Sequence, residues 1–284
     1  MYILRKVFIS VDMEGLPHIV SRAHLTSTKQ LYSEARSIAT ELTTCVAEAF
    51  KQQGFDEIVV ADSHGEMIAI DPMKIPEYVE LVRGFPRPLS MTAGAENCEA
   101  AVFLGYHAKV GTERAIFDHT FSGTFLRGVK INGILASEYL LNTYVLGEME
   151  IPVILVAGDK ALIEHDVKHY TPWAVTIALK ESLSRYSAKS PSITKLKKQL
   201  RNAVMKAVKL LEEHKVKPLK PKVPVELELE FTNSAYADLA ELLPGAKRIS
   251  GTTIIYRAKS MREAFKIMEL LVFTAAGVRY IAET

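Results

Sequence analysis

Cysteine is scarce in this sequence: Cys45 and Cys98 are the two in 284 residues. Each sits inside an apolar helical pattern, so both read as buried, reduced thiols. No disulfide framework is implied, and a reducing compartment fits. An excess of either charge is also missing. Lys plus Arg is 35 and Asp plus Glu is 33, leaving a formal net charge of +2. That balance gives no electrostatic case for nucleic acid or an anionic membrane surface. No uncharged apolar run approaches the ~18 residues of a membrane span. The N-terminus enters a strand pattern directly, without a signal-peptide pattern. The expectation is a cytoplasmic protein with no nucleic-acid or membrane partner. Apolar residues, by contrast, are plentiful at 48 %, enough for a sizeable core, and the length suits one large domain or two modest ones.

What is there begins with Val7-Phe8-Ile9-Ser10-Val11-Asp12-Met13-Glu14-Gly15. The apolar, β-branched run reads as a strand covered on both faces. It ends in two carboxylates, and alternate residues of an extended chain point the same way. Asp12 and Glu14 are therefore expected to face one side, beyond the carboxyl end of a strand, where open parallel sheets bind ligands. Two carboxylates aimed at one point repel unless protonated or bridged by a cation.

A helix pattern over 29–53, stopped by Gly54, leads to a second apolar strand at 57–62 and then Ser63-His64. Strand, helix and strand of this length form a βαβ unit, which brings His64 near Asp12 and Glu14. Further on, a short strand is expected at 78–82, a short helix near 94–100 and a third apolar strand, 101–106, before His107. Asn132-Gly133 marks a hairpin. A helix from Ala136 carries Glu138 in its first turn, and 151–159 is another buried strand. The patterns continue with a helix at 161–169 and a strand at 174–179. From Pro191 the character changes. A lysine-rich amphipathic helix over 192–215 is followed by a proline-spaced segment, then strand 225–231, helix 236–243, strand 248–257 and helix 261–276. The expected fold is α/β: a doubly wound, mostly parallel sheet with helices on both faces, plus a smaller C-terminal α/β part. Residues 1–190 would form the catalytic domain and 191–284 the smaller β-α-β-α domain.

Asp12, Glu14, His64, His107 and Glu138 all fall where an apolar strand stops or a helix starts. All are ligand types for a divalent cation. The mixture of carboxylate and imidazole suits zinc, with manganese or cobalt as alternatives. A carboxylate bridging two ions about 3.5–4 Å apart would account for so many acidic groups, and Asp12 is the natural bridge.

The blocks Ser10-Val11-Asp12-Met13-Glu14-Gly15, Asp62-Ser63-His64, Gly105-Tyr106-His107-Ala108, Asp118-His119-Thr120 and Ile131-Asn132-Gly133 leading to Glu138 carry a family resemblance. With Val156-Ala157-Gly158-Asp159 and Gly251-Thr252-Thr253 they span nearly the whole sequence. Together they resemble the zinc-dependent D-aminopeptidase family. That resemblance implies a two-zinc centre on Asp12, Glu14, His64, His107 and Glu138, with the aspartate bridging. It makes His119 a catalytic residue, described as the nucleophile. On chemistry alone His119 also suits acid/base work or oxyanion donation. The resemblance further implies a homodecamer of two stacked pentameric rings, acting on short peptides or amino-acid amides with an N-terminal D-residue. Two other readings remain open: a two-metal phosphoesterase, although no Gly-rich phosphate cradle is present, and a non-catalytic metal- or peptide-binding module.

Overall fold

The computed structural model describes residues 4–283. Strand β1 (Lys6–Val11) passes through a helical turn, α1 (Arg22–Leu25), and helix α2 (Tyr32–Gln52) into β2 (Glu57–Asp62) and β3 (Val79–Val82). Then come β4 (Ala100–Tyr106), the hairpin β5 (Leu126–Ile131) and β6 (Ile134–Leu135), helix α3 (Glu138–Glu148) and β7 (Val153–Asp159). Two helical turns, α4 (Lys160–Leu162) and α5 (Lys168–Tyr170), precede β8 (Val175–Ser184), β9 (Ser187–Lys189) and helix α6 (Ile193–Glu212). The C-terminal part holds β10 (Val225–Phe231), α7 (Ser234–Ala240), β11 (Lys247–Arg248), β12 (Thr253–Ala258) and α8 (Met261–Glu283).

Among the described residues these strands make two sheets. The first has the order β3-β2-β1-β4-β7-β8-β9, parallel except where β9 folds back on β8. The expected α/β architecture is thus observed. The central strands are apolar without alternation because both faces are covered. Val7, Ile9 and Val11 pack under α2 and α6, whereas Phe8 faces the opposite core with Phe103 and Tyr139. Each such side chain contributes roughly 2 kcal/mol by leaving water. The second sheet, β11-β12-β10-β5-β6, is antiparallel. In β10, Val225, Leu227, Leu229 and Phe231 are buried while the three glutamates between them are only half-buried, the alternation of a strand with one covered face. The predicted Asn132-Gly133 hairpin forms, and its β5 arm pairs with β10, so this sheet draws strands from both sides of residue 190.

Four expected elements differ. Residues 94–99 of the helix expected over 94–100 form turns and bends, because Gly94 and Asn97 adopt positive φ angles of 90° and 65°, and Ala100 already opens β4. The strand expected over 248–257 is two strands joined by a turn, in which Ser250 accepts from the Thr252 N–H at 3.2 Å. The helix expected over 161–169 contains a π-helical segment, Ile163–Val167, that turns Asp166 inward to pair with Lys109. Helix α8 runs on to Glu283, with no proline to stop it. Both cysteines are unpaired and buried.

Glycine fixes the loop that carries the first two carboxylates. Gly105 has φ +79°, and a Cβ there would lie 2.0 Å from the Asp12 carbonyl oxygen. A Cβ on Gly15 would lie 1.9 Å from the Tyr106 carbonyl oxygen. The two strand ends are therefore pressed backbone to backbone, with the Gly15 N–H donating to the Gly105 carbonyl at 2.7 Å. Gly105→Ala is expected to lower stability by on the order of 3 kcal/mol, combining overpacking with a strained φ. Denaturant unfolding checks this; a variant within 0.5 kcal/mol of the parent, roughly the spread of an innocuous surface change, would contradict the close-approach argument.

Candidate active site

Every residue singled out in the sequence reaches one place, the carboxyl edge of the parallel sheet. Asp12 and Glu14 follow β1, His64 follows β2, His107 follows β4, and Glu138 opens α3. All five are buried. His64 Nδ1 lies 2.8 Å from Glu14 Oε2 and 3.4 Å from Asp12 Oδ1. His107 Nε2 lies 3.6 Å from both Asp12 Oδ2 and Glu138 Oε1. The ligand atoms of Asp12, Glu14 and His64 all lie within 4.8 Å of one another, as do those of Asp12, His107 and Glu138. Asp12 is common to both groups.

His119 sits on the loop before β5, half-exposed at the mouth of the cluster, with Nε2 3.3 Å from Glu138 Oε1. Its ring stacks on His107 with centroids 4.4 Å apart and planes 16° off parallel. A third group, Glu14, His107 and His119, meets the same 4.8 Å limit. The neighbours of His119 in sequence hold its loop. Asp118 accepts from the Gly111 N–H at 2.7 Å and pairs with Arg185, and the Thr120 hydroxyl donates to the Ala136 carbonyl at 2.9 Å. Glu138, at the helix start above its Ser137 cap, also accepts from the Phe121 N–H at 2.8 Å.

The three imidazoles share a design. In each, one ring nitrogen lies beside a backbone carbonyl: His64 Nε2 at Leu25 (2.9 Å), His107 Nδ1 at Ala108 (3.0 Å) and His119 Nδ1 at Phe117 (2.8 Å). A carbonyl only accepts, so that nitrogen carries the hydrogen. The opposite nitrogen then presents a lone pair toward carboxylates, unless it too is protonated. Lone pair against carboxylate is repulsive, and it is the usual geometry of histidines around a metal. The orphaned atoms agree: Asp12 Oδ2 and His107 Nε2 are buried with no hydrogen-bond partner. The donor set therefore fits divalent cations.

Charge balance without a cation falls to protons. Burial, and then Glu14 alongside, push the Asp12 carboxyl well above its usual range. Burial also opposes ionisation of Glu14, but His64 and His107 outweigh it and hold Glu14 well below that range. His107 is pushed up to about 10, since Glu138 and Asp12 overcome the cost of burying its charged ring. The same opposed charges would favour a divalent cation among these groups.

Beneath the cluster, the Ser10 hydroxyl links to Ser63 Oγ at 2.8 Å and Tyr106 Oη at 2.7 Å, and Asn142 donates to Tyr106 at 3.0 Å. Above it opens a cavity of about 410 Å³, walled by Phe85, Phe121, Phe125, Met67, Met91 and Phe273, with Asp12, Glu14, His64, His119 and Glu138 at its floor. Several residues here escape sequence reasoning. Arg87, Glu269, Val272, Phe273 and Ala276 reach the cavity from a loop and from α8, far away in sequence. Lys180, in the middle of β8, is 1 % exposed and donates to the Ile19 carbonyl at 2.6 Å, tethering the loop beyond Glu14. Its only signal is a lysine at the inner end of an apolar run.

Carboxylates and imidazoles gathered at the carboxyl edge of a parallel sheet, on the floor of an apolar cavity, define a metallohydrolase. The comparisons with known proteins narrow the class. The D-aminopeptidase family model (peptidase M55) matches residues 5–270. A D-aminopeptidase from Bacillus subtilis (strain 168) is 35 % identical over 277 residues, spanning 96 % of this chain and 98 % of its own. The solved structure of the Zn-dependent D-aminopeptidase DppA from Bacillus subtilis, a self-compartmentalizing protease, superposes with a TM-score of 0.90 at 32 % identity, covering 95 % of this chain and 98 % of that one. The chain belongs to the D-aminopeptidase family and is a metallo-aminopeptidase. Among the described residues no helix is long and apolar enough to cross a membrane.

Lys180 gives a pH test of the packing around this site. Burial pushes its amine down from 10.5 to about 7, against the pull of Asp159, Glu14 and Asp12. The unfolded chain therefore binds more protons than the folded one between about pH 7 and about pH 10, so unfolding free energy rises with pH across that window. A bound cation would deepen this depression. Lys180→Met is expected to flatten the rise, read as the difference in unfolding free energy from the parent at about pH 7 and about pH 10. A difference independent of pH would contradict the assignment.

Proposed function

We propose that this enzyme is a zinc-dependent D-aminopeptidase using two metal ions per subunit. In this reading Asp12, Glu14 and His64 hold one ion, Asp12, His107 and Glu138 hold the other, and the Asp12 carboxylate bridges them. The observation that carries it is Asp12's membership of both ligand groups, together with its orphaned Oδ2 and the orphaned Nε2 of His107. Zinc rests on the Zn-dependent relative and on the mixed imidazole and carboxylate donors, with manganese and cobalt as alternatives. When bound, the ions would lower the pKa of water and polarise the scissile carbonyl.

The chain's own residues supply the rest. His119 has an acceptor for each N–H when its ring carries a second proton: the Phe117 carbonyl for Nδ1 and Glu138 for Nε2. It can therefore hold a proton at the mouth of the site and pass it to the departing amine, as a general acid. The family's nucleophile role would instead leave an acyl group on its Nε2, which trapping would detect. The aromatic and methionine walls exclude water around the N-terminal side chain. The substrates would be short peptides or amino-acid amides beginning with a D-residue, the preference for the D-residue resting on the relatives' names.

In this reading residues 1–190 would form the catalytic domain, since all six candidate side chains lie there, and 191–284 a smaller C-terminal part whose sheet is completed by β5 and β6 and whose α6 packs on the parallel sheet. The enzyme would assemble as a homo-oligomer, in line with the self-compartmentalizing relative; the family resemblance of the sequence makes that a decamer of two pentameric rings. Exposed Leu270 and Phe273 on α8 offer apolar contact surface for such an assembly. Buried, reduced thiols fit a cytoplasmic enzyme.

Three variants test the assignment. His64→Ala or His107→Ala is expected to lose metal and activity together, measured by elemental analysis beside hydrolysis of D-alanine amide. Full metal content in either would refute it as a ligand. His119→Ala is expected to keep both ions and lose turnover by about 10²-fold or more. Loss of metal in that variant would instead make His119 a ligand, as the Glu14–His107–His119 group allows.

A further inference from the structure

One carboxylate in the cavity is not used by the metal centre. Glu269 reaches the wall from α8, on the far core, and is 8 % exposed. Apolar side chains, among them Val272, Phe273 and Met91, line the same cavity. The Leu89 N–H is the donor directed at it. An ionised carboxylate offers about four acceptor positions, so one backbone donor leaves most of that capacity facing the cavity.

Two cations act on it, Arg87 and Lys266, but neither forms an ion pair with it among the described residues. Arg87 also lines the cavity, but its guanidinium donates to the carbonyls of Asp62 at 2.7 Å, Ser90 at 2.8 Å and Val82 at 3.1 Å. Those bonds brace the loop that delivers the Leu89 N–H. Leu89 and Ser90 adopt positive φ angles of 60° and 41°, a costly conformation for residues with side chains. The loop is thus held under strain in the shape that serves Glu269. Burial pushes the Glu269 carboxyl up to about 7, against the Leu89 hydrogen bond and Arg87. An ionised carboxylate in an apolar wall is costly to leave unpaired, and a ligand ammonium group would relieve that cost.

We propose that Glu269 is a specificity residue that receives an ammonium group of the substrate in the apolar part of the cavity. This deepens the aminopeptidase reading and rests on it. The ammonium has two sources: the free α-amine that defines an aminopeptidase substrate, or a basic side chain on the N-terminal residue. In either case the same wall disfavours an N-terminal acidic side chain, which would meet Glu269 at short range.

The test is steady-state kinetics of the metal-loaded parent and Glu269→Gln with D-alanine amide, D-lysine amide and D-aspartic acid amide. Competitive inhibition by propionamide, the des-amino analogue of alanine amide, is measured alongside. Glutamine keeps the size and the hydrogen bond from Leu89 and removes the charge. If Glu269 takes a side-chain ammonium, kcat/KM for D-lysine amide falls on the order of tenfold to a hundredfold relative to D-alanine amide, mostly through KM. If it takes the α-amine, both fall together through KM while the inhibition constant of propionamide is unchanged. In both cases the penalty on D-aspartic acid amide narrows. Unchanged ratios and unchanged KM overturn the proposal. So does a uniform loss in kcat accompanied by a lower Tm, which marks a structural role. Failure of the parent itself to hydrolyse any of the amides after zinc loading would instead overturn the underlying aminopeptidase reading.

Discussion

The structure depends on an electrostatic conflict held in a dry place. Three carboxylates and three imidazoles converge within a few ångströms at the carboxyl edge of the parallel sheet, and the five candidate ligands are buried. Each imidazole is pinned through its far nitrogen to a backbone carbonyl. The near nitrogens cannot turn away from the carboxylates without losing those bonds. Protons can balance the cluster, but each balances only one charge, and they leave Asp12 Oδ2 and His107 Nε2 without a partner. A divalent cation satisfies acceptors on several residues at once, which is why such a cluster persists in a folded protein despite its desolvation cost.

Holding that conflict in place falls largely to backbone. Asp12 and Glu14 lie on a loop whose glycine presses against the end of β4, and Gly105 returns the contact from the other side. The Asp12 N–H donates to the Leu104 carbonyl at 2.8 Å and the Ser63 N–H to the Val11 carbonyl at 2.8 Å, so the ladders of β1, β2 and β4 continue into the ligand loops. The loops inherit the rigidity of the sheet. Below them the Ser10–Ser63–Tyr106–Asn142 network links three hydroxyls and an amide N–H, with the Asn142 Oδ1 left buried and unpartnered. Rigid backbone above a hydrogen-bonded polar floor fixes the carboxylates against their own repulsion.

Much of this was legible in the sequence because the signals are local and repeated. Apolar strands without alternation announce a sheet covered on both faces, and polar residues at their ends announce where a ligand sits. Asp12, Glu14, His64, His107, His119 and Glu138 all gather where that logic expects them. Strand β10 matched its expected limits because its period-2 pattern is clean. The illegible parts are those set by distant contacts or by single backbone angles. Residues 94–100 look helical by composition, but positive φ at Gly94 and Asn97 turns the chain instead. Ser250-Gly251-Thr252 breaks a β-rich stretch by a side-chain bond that no periodicity reports. The pairing of β5 with β10 joins residues about a hundred positions apart, and nothing within either segment names the other.

That long-range pairing is also what makes the cavity asymmetric. The floor is built by the ends of the parallel strands, and part of the wall by α8, which packs against the antiparallel sheet. The hairpin β5–β6 belongs to that second sheet, yet it lies between His119 and Glu138 in the chain. Residues on either side of it therefore belong to the carboxylate and imidazole cluster while its own strands anchor the sheet that carries α8. The wall cannot shift relative to the floor without pulling on the segment that aims His119 at Glu138. The cluster at the floor and the wall on α8 are thus coupled through covalent chain as well as packing, so changes in α8 would reach His119 through the β5–β6 segment.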